Sequence, residues 1–242
     1  MFDLLTPEQW AWAATIVFAG ALVQGTAGVG YAIVSAPLLR IVASELVPVS
    51  VMIGVWSVAL ATLIRERQDI SAAGIGWVLA GRLPGAWIGA LLLGVIPARA
   101  LDISIGGMVL IAVIVMALGL AIPFNPKTQF LAGLISGTTG TATAVGGPPL
   151  AMLYRERKGP ELRSTLAVVF LAGLSINLAT LAVRAQISVD QLLMGVLLIP
   201  PSLLGFVGSS SLRKYVDGEP LRWAILIISS FAAISLLAKT FL

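Results

Sequence analysis

The sequence predicts an all-α integral membrane protein made of two homologous halves, each opening with a helix interrupted by glycine and proline. Three observations carry this. Hydrophobic residues fill 58% of 242 positions and charged residues only 11%, against the roughly 25% charged share typical of a soluble domain. Long apolar runs recur with short charged or proline-marked gaps between them. The chain also matches itself at an offset centred on two glycine-rich segments.

Apolar runs lie at about 10–43, 48–64, 75–96, 102–122, 128–153, 164–183, 190–210 and 222–241. A helix crossing the hydrocarbon core needs roughly 20 such residues. The gaps at 65–69, 97–102, 123–127, 155–163, 184–190 and 213–222 are too short for an extramembrane domain. One polytopic domain, 1–242, accounts for the chain, with repeat 1 over about 8–122 and repeat 2 over about 127–242. Residues 1–8 lack a basic stretch and carry Asp3 and Glu8, so no cleaved signal peptide is expected.

The first run holds Gln24-Gly25-Thr26-Ala27-Gly28-Val29-Gly30 at its centre. The fifth holds Ser136-Gly137-Thr138-Thr139-Gly140-Thr141-Ala142-Thr143-Ala144-Val145-Gly146-Gly147-Pro148-Pro149. Glycine and threonine are poor helix formers, and proline breaks a helix interior. Both segments are therefore expected to be unwound at membrane depth, which is tolerated only where protein buries the backbone or a polar cavity meets it. A shift of 112 brings Gly25, Thr26, Gly28, Ala32, Pro37 and Leu38 onto Gly137, Thr138, Gly140, Ala144, Pro149 and Leu150. A shift of 118 pairs Ser57, Ala61, Thr62 and Leu63 with Ser175, Ala179, Thr180 and Leu181, and one of 116 pairs Pro84 and Gly89 with Pro200 and Gly205. Matched interruptions in two halves point to a transporter's binding site. Close helix packing through small residues explains Gly25 and Gly28 equally well, but not the Gly146-Gly147-Pro148-Pro149 run.

Charge gives the orientation. If all eight runs cross, the cations divide nine against five, with Arg82 set aside as intramembrane. If runs one and five are re-entrant, Arg65, Arg67, Lys127, Arg155, Arg157, Lys158, Arg163, Arg213, Lys214 and Arg222 lie together, ten against four. The positive-inside rule favours the larger asymmetry. Three full crossings per half then make the repeats inverted, with both termini outside. The two limbs of run one, 10–24 and 31–43, would each be about 20 Å long and reach the bilayer middle.

The inventory excludes much chemistry. There is no cysteine and no histidine, hence no disulfide, no thiolate site and neither the usual metal ligand nor the usual proton shuttle. Every carboxylate falls in a gap or at a helix end, leaving no carrier for ion coupling inside a span. No enzyme activity, metal, cofactor or nucleic-acid partner is expected. No Gly-Lys-Ser/Thr follows either glycine-rich segment, so a nucleotide site is rejected.

Broken helices do offer backbone N–H donors and a positive dipole end, an anion site without a cation. Pro148 or Pro149 suits a first helical position, and Pro37 the same place in the first half. The candidate ligand residues are Gln24, Gly25, Thr26, Gly28, Gly30, Tyr31 and Pro37, with Ser136, Gly137, Thr138, Thr139, Gly140, Thr141, Gly146, Gly147, Pro148 and Pro149. Arg82, alone inside an apolar run, is either an anion-attracting charge or an arginine that snorkels or caps carbonyls of a broken third run. Asn177 is a ligand contact or an interhelical hydrogen bond.

Two halves that each run from a glycine-rich break into Pro-Leu, at Gly25 to Leu38 and Gly137 to Leu150, resemble the sulfite exporter TauE/SafE family of membrane transporters. The resemblance implies a secondary permease or exporter of the cell inner (plasma) membrane that moves small sulfur-containing anions such as sulfite or organosulfonates. The first half departs from the family's fuller glycine pattern, with Gly28-Val29-Gly30-Tyr31 in its place. The expected partners are a small anionic solute and the lipid bilayer, with a homo-oligomer left open. A passive anion channel and a non-transporting membrane scaffold are the alternatives.

Overall fold

The computed structural model describes residues 5–157, 159–215 and 219–241, with side chains at 212–215 and 219–222 excepted. Of the charged residues discussed above, Asp3, Lys158 and Asp217 lie outside the described residues, as do the side chains of Arg213, Lys214, Glu219 and Arg222. Among the described residues there is no strand, and eleven α-helices follow in order. The first half of the chain contributes α1 (Pro7–Ala27), α2 (Tyr31–Val42), α3 (Val49–Arg65), α4 (Ile75–Val95) and α5 (Ala98–Leu118). The second half contributes α6 (Pro126–Thr143), α7 (Gly147–Leu153), α8 (Gly159–Val183), α9 (Val189–Leu197), α10 (Ile199–Tyr215) and α11 (Glu219–Phe241). Six stretches are long and apolar enough to cross a membrane: α1, α4, α5, α8, the α9–α10 pair and α11. Large apolar side chains such as Trp12, Trp87, Ile111, Leu204 and Phe231 stand exposed on them, as a lipid-facing surface requires. The protein is a multi-pass membrane protein.

Local chemistry sets the helix starts. Thr6 caps α1 and Asn125 caps α6, each through a capping box with the residue three positions on, followed by proline at the first helical position. The shared device satisfies orphan N–H groups reciprocally. Ser188 does the same for α9 with Gln191.

Both glycine-rich runs turn back on themselves. α1 ends at Ala27, and Gly28 (φ 85°) and Gly30 (φ 134°) take backbone conformations that favour glycine before α2 begins. The limbs are antiparallel: Ser35 Oγ donates to the Ile16 carbonyl at 3.4 Å and Gln9 Nε2 to that of Val42 at 2.9 Å. α6 ends at Thr143, and α7 starts at Gly147 after a left-handed Ala144. Here Ser136 Oγ donates to the Gly146 carbonyl at 2.6 Å, and Ile122 N to that of Met152 at 3.4 Å. Each second limb ends beside the start of its first.

The sequence reading needs several corrections. Unwinding is confined to residues 28–30 and 144–146; Gln24 to Ala27 and Ser136 to Thr143 are helical. Tertiary packing overrides their weak propensity, because the glycines of α6 let another helix approach. α1, with 21 residues, is about 31 Å long rather than about 20. Pro37 lies inside α2, not at its start, since the turn ends at Gly30 and leaves a full helical turn ahead of the proline. α4 runs unbroken through Pro84. An unforeseen interruption at Leu198 separates α9 from α10, just before Pro200 and Pro201.

Each hairpin docks on a long helix from the other half of the chain. α1 lies against α10, where a β-carbon on Gly205 would strike the Phe18 carbonyl. α6 lies against α4 along Gly81, Gly85 and Gly89, which face the carbonyls of Phe130, Leu134 and Thr138. α3 pairs with α8, and α5 with α11.

Candidate functional site

The two turns meet. Val29 of the first stands 2.6 Å from where a β-carbon of Gly147, in the second, would be. Between them lies a cavity of about 20 Å³, room for about one water. Gln24, Gly30, Arg82, Gly140, Gly146 and Gly147 line it, all of them sequence candidates. Its apolar walls, Val55, Phe170 and Leu174, carry no sequence signal, since an apolar residue in an apolar run looks like any other.

Among the described residues, Arg82 is the only charged one on this cavity. It is 1% exposed, which ends the snorkelling reading, and α4 is unbroken around it, which ends the capping one. Its Nη1 donates to Ser136 Oγ at 3.1 Å, and that hydroxyl donates onward to the Gly146 carbonyl in the turn. Its Nε has no partner, and among the described residues no carboxylate pairs with it. Glycines hold it there: Gly81 and Gly85 bring α4 onto α6, and Gly173 of α8 leaves the space its guanidinium fills.

Many of the other candidates are engaged elsewhere. The hydroxyls of Thr26, Thr138 and Thr139 donate to carbonyls four residues back, at Leu22, Leu134 and Ile135. Tyr31 Oη bonds Ser202 Oγ at 2.8 Å. Gly25 packs on Ser209 and Phe206, and Gly137 on the backbone of Arg82. Pro148 and Pro149 occupy the second and third positions of α7, where proline removes two N–H groups the helix start would have offered. Thr141 and Asn177 are fully buried; the Thr141 hydroxyl and both amide atoms of Asn177 have no partner. Among the described residues no group of His, Cys, Asp and Glu could hold a metal ion.

A charged clamp at the end of α1 escaped the sequence reading, which left its members in separate gaps. Arg163 Nε donates to Glu66 Oε2 at 2.9 Å, and its Nη1 to the Thr26 carbonyl at 3.4 Å. Arg65 Nη2 donates to the Gly25 carbonyl at 2.9 Å, and its guanidinium lies 3.9 Å over the Phe206 ring. The last carbonyls of a helix lack partners and carry partial negative charge, so two cations suit this end. Gly28 fits closely here, a β-carbon on it falling 3.0 Å from Arg163 Cγ.

Comparison with known families gives one match: the family model described as Sulfite exporter TauE/SafE covers residues 12–236. No curated protein and no solved structure matches the chain.

Proposed function

The chain belongs to the sulfite exporter TauE/SafE family of membrane transporters, and from that premise we propose that it is a secondary carrier of small sulfur-containing anions, such as sulfite or organosulfonates, in the cell inner (plasma) membrane. The proposed site is the cavity between the two turns. Arg82 is the observation that carries this: a guanidinium 1% exposed and without a carboxylate partner costs several kcal/mol. A bound anion offsets that cost. The start of α2 adds N–H donors, since Gly30 provides no side-chain cap there. A cavity with room for about one water favours a carrier with a closed state over an open pore. Substrate entry then requires the two turns to part.

The helix directions support an inverted repeat. Each hairpin returns toward its own start, and three crossings follow it in each half, the shorter 17-residue α3 being taken as one of them. Arg40 pairs with Asp102, Arg99 lies over Phe241 and Lys239 donates to the Ile41 carbonyl, so these cations share one end. Arg65 and Arg163 share the other through Glu66. The richer end is cytoplasmic under the positive-inside rule, and both termini are outside.

Proteoliposome uptake of labelled sulfite, competed by methanesulfonate, sulfate and acetate, tests the proposal. It predicts saturable flux with counterflow, lost in Arg82→Met. Flux that does not saturate would indicate a channel. Undiminished flux in Arg82→Met would falsify the site.

A further inference from the structure

Gly140 of α6 lines the cavity. A β-carbon there would stand 3.1 Å from Asn177 Nδ2, 3.6 Å from Arg82 Nη2 and 3.5 Å from Gly146 Cα. Glycine keeps Asn177 and Arg82 unobstructed by a side chain at this point, and Gly140, Gly146 and Arg82 all line the adjoining cavity. Nitrogen donors from two helices, α8 and α4, thus lie side by side next to Gly140. Asn177 is 0% exposed and neither amide atom has a partner; Arg82 Nε has none either. Orphaned buried groups of this kind call for a bound species to satisfy them.

We infer that Asn177 Nδ2 and the Arg82 guanidinium together hold one oxygen of the transported anion in the cavity beside Gly140. This rests on reading the cavity as an anion site and adds its chemistry: a compact oxyanion head, such as a sulfite or sulfonate group, placed oxygen-first against α6. Glycine is needed at 140 because a β-carbon would press on Asn177 Nδ2 and crowd the cavity beside Arg82. Asn177 is the specificity-determining residue, since it supplies a neutral donor from α8, beside the charge.

The test is thermal unfolding of the purified full-length protein in detergent, titrated with sulfite or methanesulfonate, with chloride as the non-oxyanion arm. Gly140→Ala and Asn177→Leu should each weaken oxyanion binding about tenfold or more. Their double variant should be no weaker than the worse single one, because both act on one seat. Unliganded melting should be unchanged or raised in Gly140→Ala, as alanine is the better helix former. Asn177→Leu, close to isosteric, carries the test alone if the glycine variant does not fold. Full oxyanion binding in both single variants, with loss in Arg82→Met, overturns the seat and leaves the cavity reading standing. Stabilisation by chloride equal to that by both oxyanions overturns the seat as well. Absent stabilisation of the wild type, or unaltered binding in Arg82→Met, sinks the cavity reading itself.

Discussion

The two hairpins share a plan but differ in what they present to the cavity. In the first, α2 has 12 residues and an uncapped start at Gly30, so its backbone supplies donors. The second has only the 7-residue α7, and Pro148 and Pro149 remove two of its N–H groups. There the positive charge comes from α4, through Arg82 and its bond to Ser136. The far end of α1 is clamped by Arg65, Arg163 and Glu66, whereas α6 ends on its own threonine hydroxyls, Thr143 Oγ1 donating to the Thr139 carbonyl at 2.8 Å. Two hairpins of like topology can thus differ in whether backbone or side chain supplies their electrostatics.

Five substitutions break or sharpen that contrast. Arg82→Met has the largest expected effect: anion binding, read by ligand-dependent melting, falls about a hundredfold, while the unliganded protein is as stable or more so, since a lone buried charge is gone. Retained affinity would mean that both hairpins work through backbone alone. Glu66→Gln comes next, leaving Arg163 buried without its carboxylate at a cost of about 3–5 kcal/mol, measured by denaturant unfolding in mixed micelles. A loss below 1 kcal/mol would make the clamp a surface feature. Gly81→Ala pushes a methyl into the Phe130 carbonyl and should cost about 1–3 kcal/mol, whereas Gly76→Ala, with nothing within 4 Å, should be neutral or gain up to about 1 kcal/mol. Pro149→Ala is the mildest: it restores one donor to α7, and anion affinity, from the same melting titration, should tighten by about threefold or less. Weaker binding would show that the prolines shape the turn rather than thin out its donors.

Element order was legible because hydropathy and charge act locally. The run at 10–43 became α1 and α2, and the run at 128–153 became α6 and α7, near the limits the composition suggested. The Gly-Thr stretch of α6 was misread as unwound because its glycines serve a helix some fifty positions earlier, and no local rule weighs that contact. Arg82 was visible as an oddity, but its hydrogen bond to Ser136 spans 54 positions and the choice between its roles waited on coordinates. The Glu66–Arg163 pair, 97 positions apart, was hidden for the same reason. Pro84 and Pro200 looked equivalent, yet only the latter, doubled by Pro201, accompanies a break.

The exchange of docking partners, α1 onto α10 and α6 onto α4, means that neither half of the chain is a mechanical unit by itself. A cut through the linker at 119–125 would separate each hairpin from the helix that braces it, so neither fragment could fold as a miniature of the whole. Only when both are synthesised together would the fingers interlace. On the proposed carrier mechanism, the bodies that slide past one another would be mixed pairs, each with one member from either half of the chain.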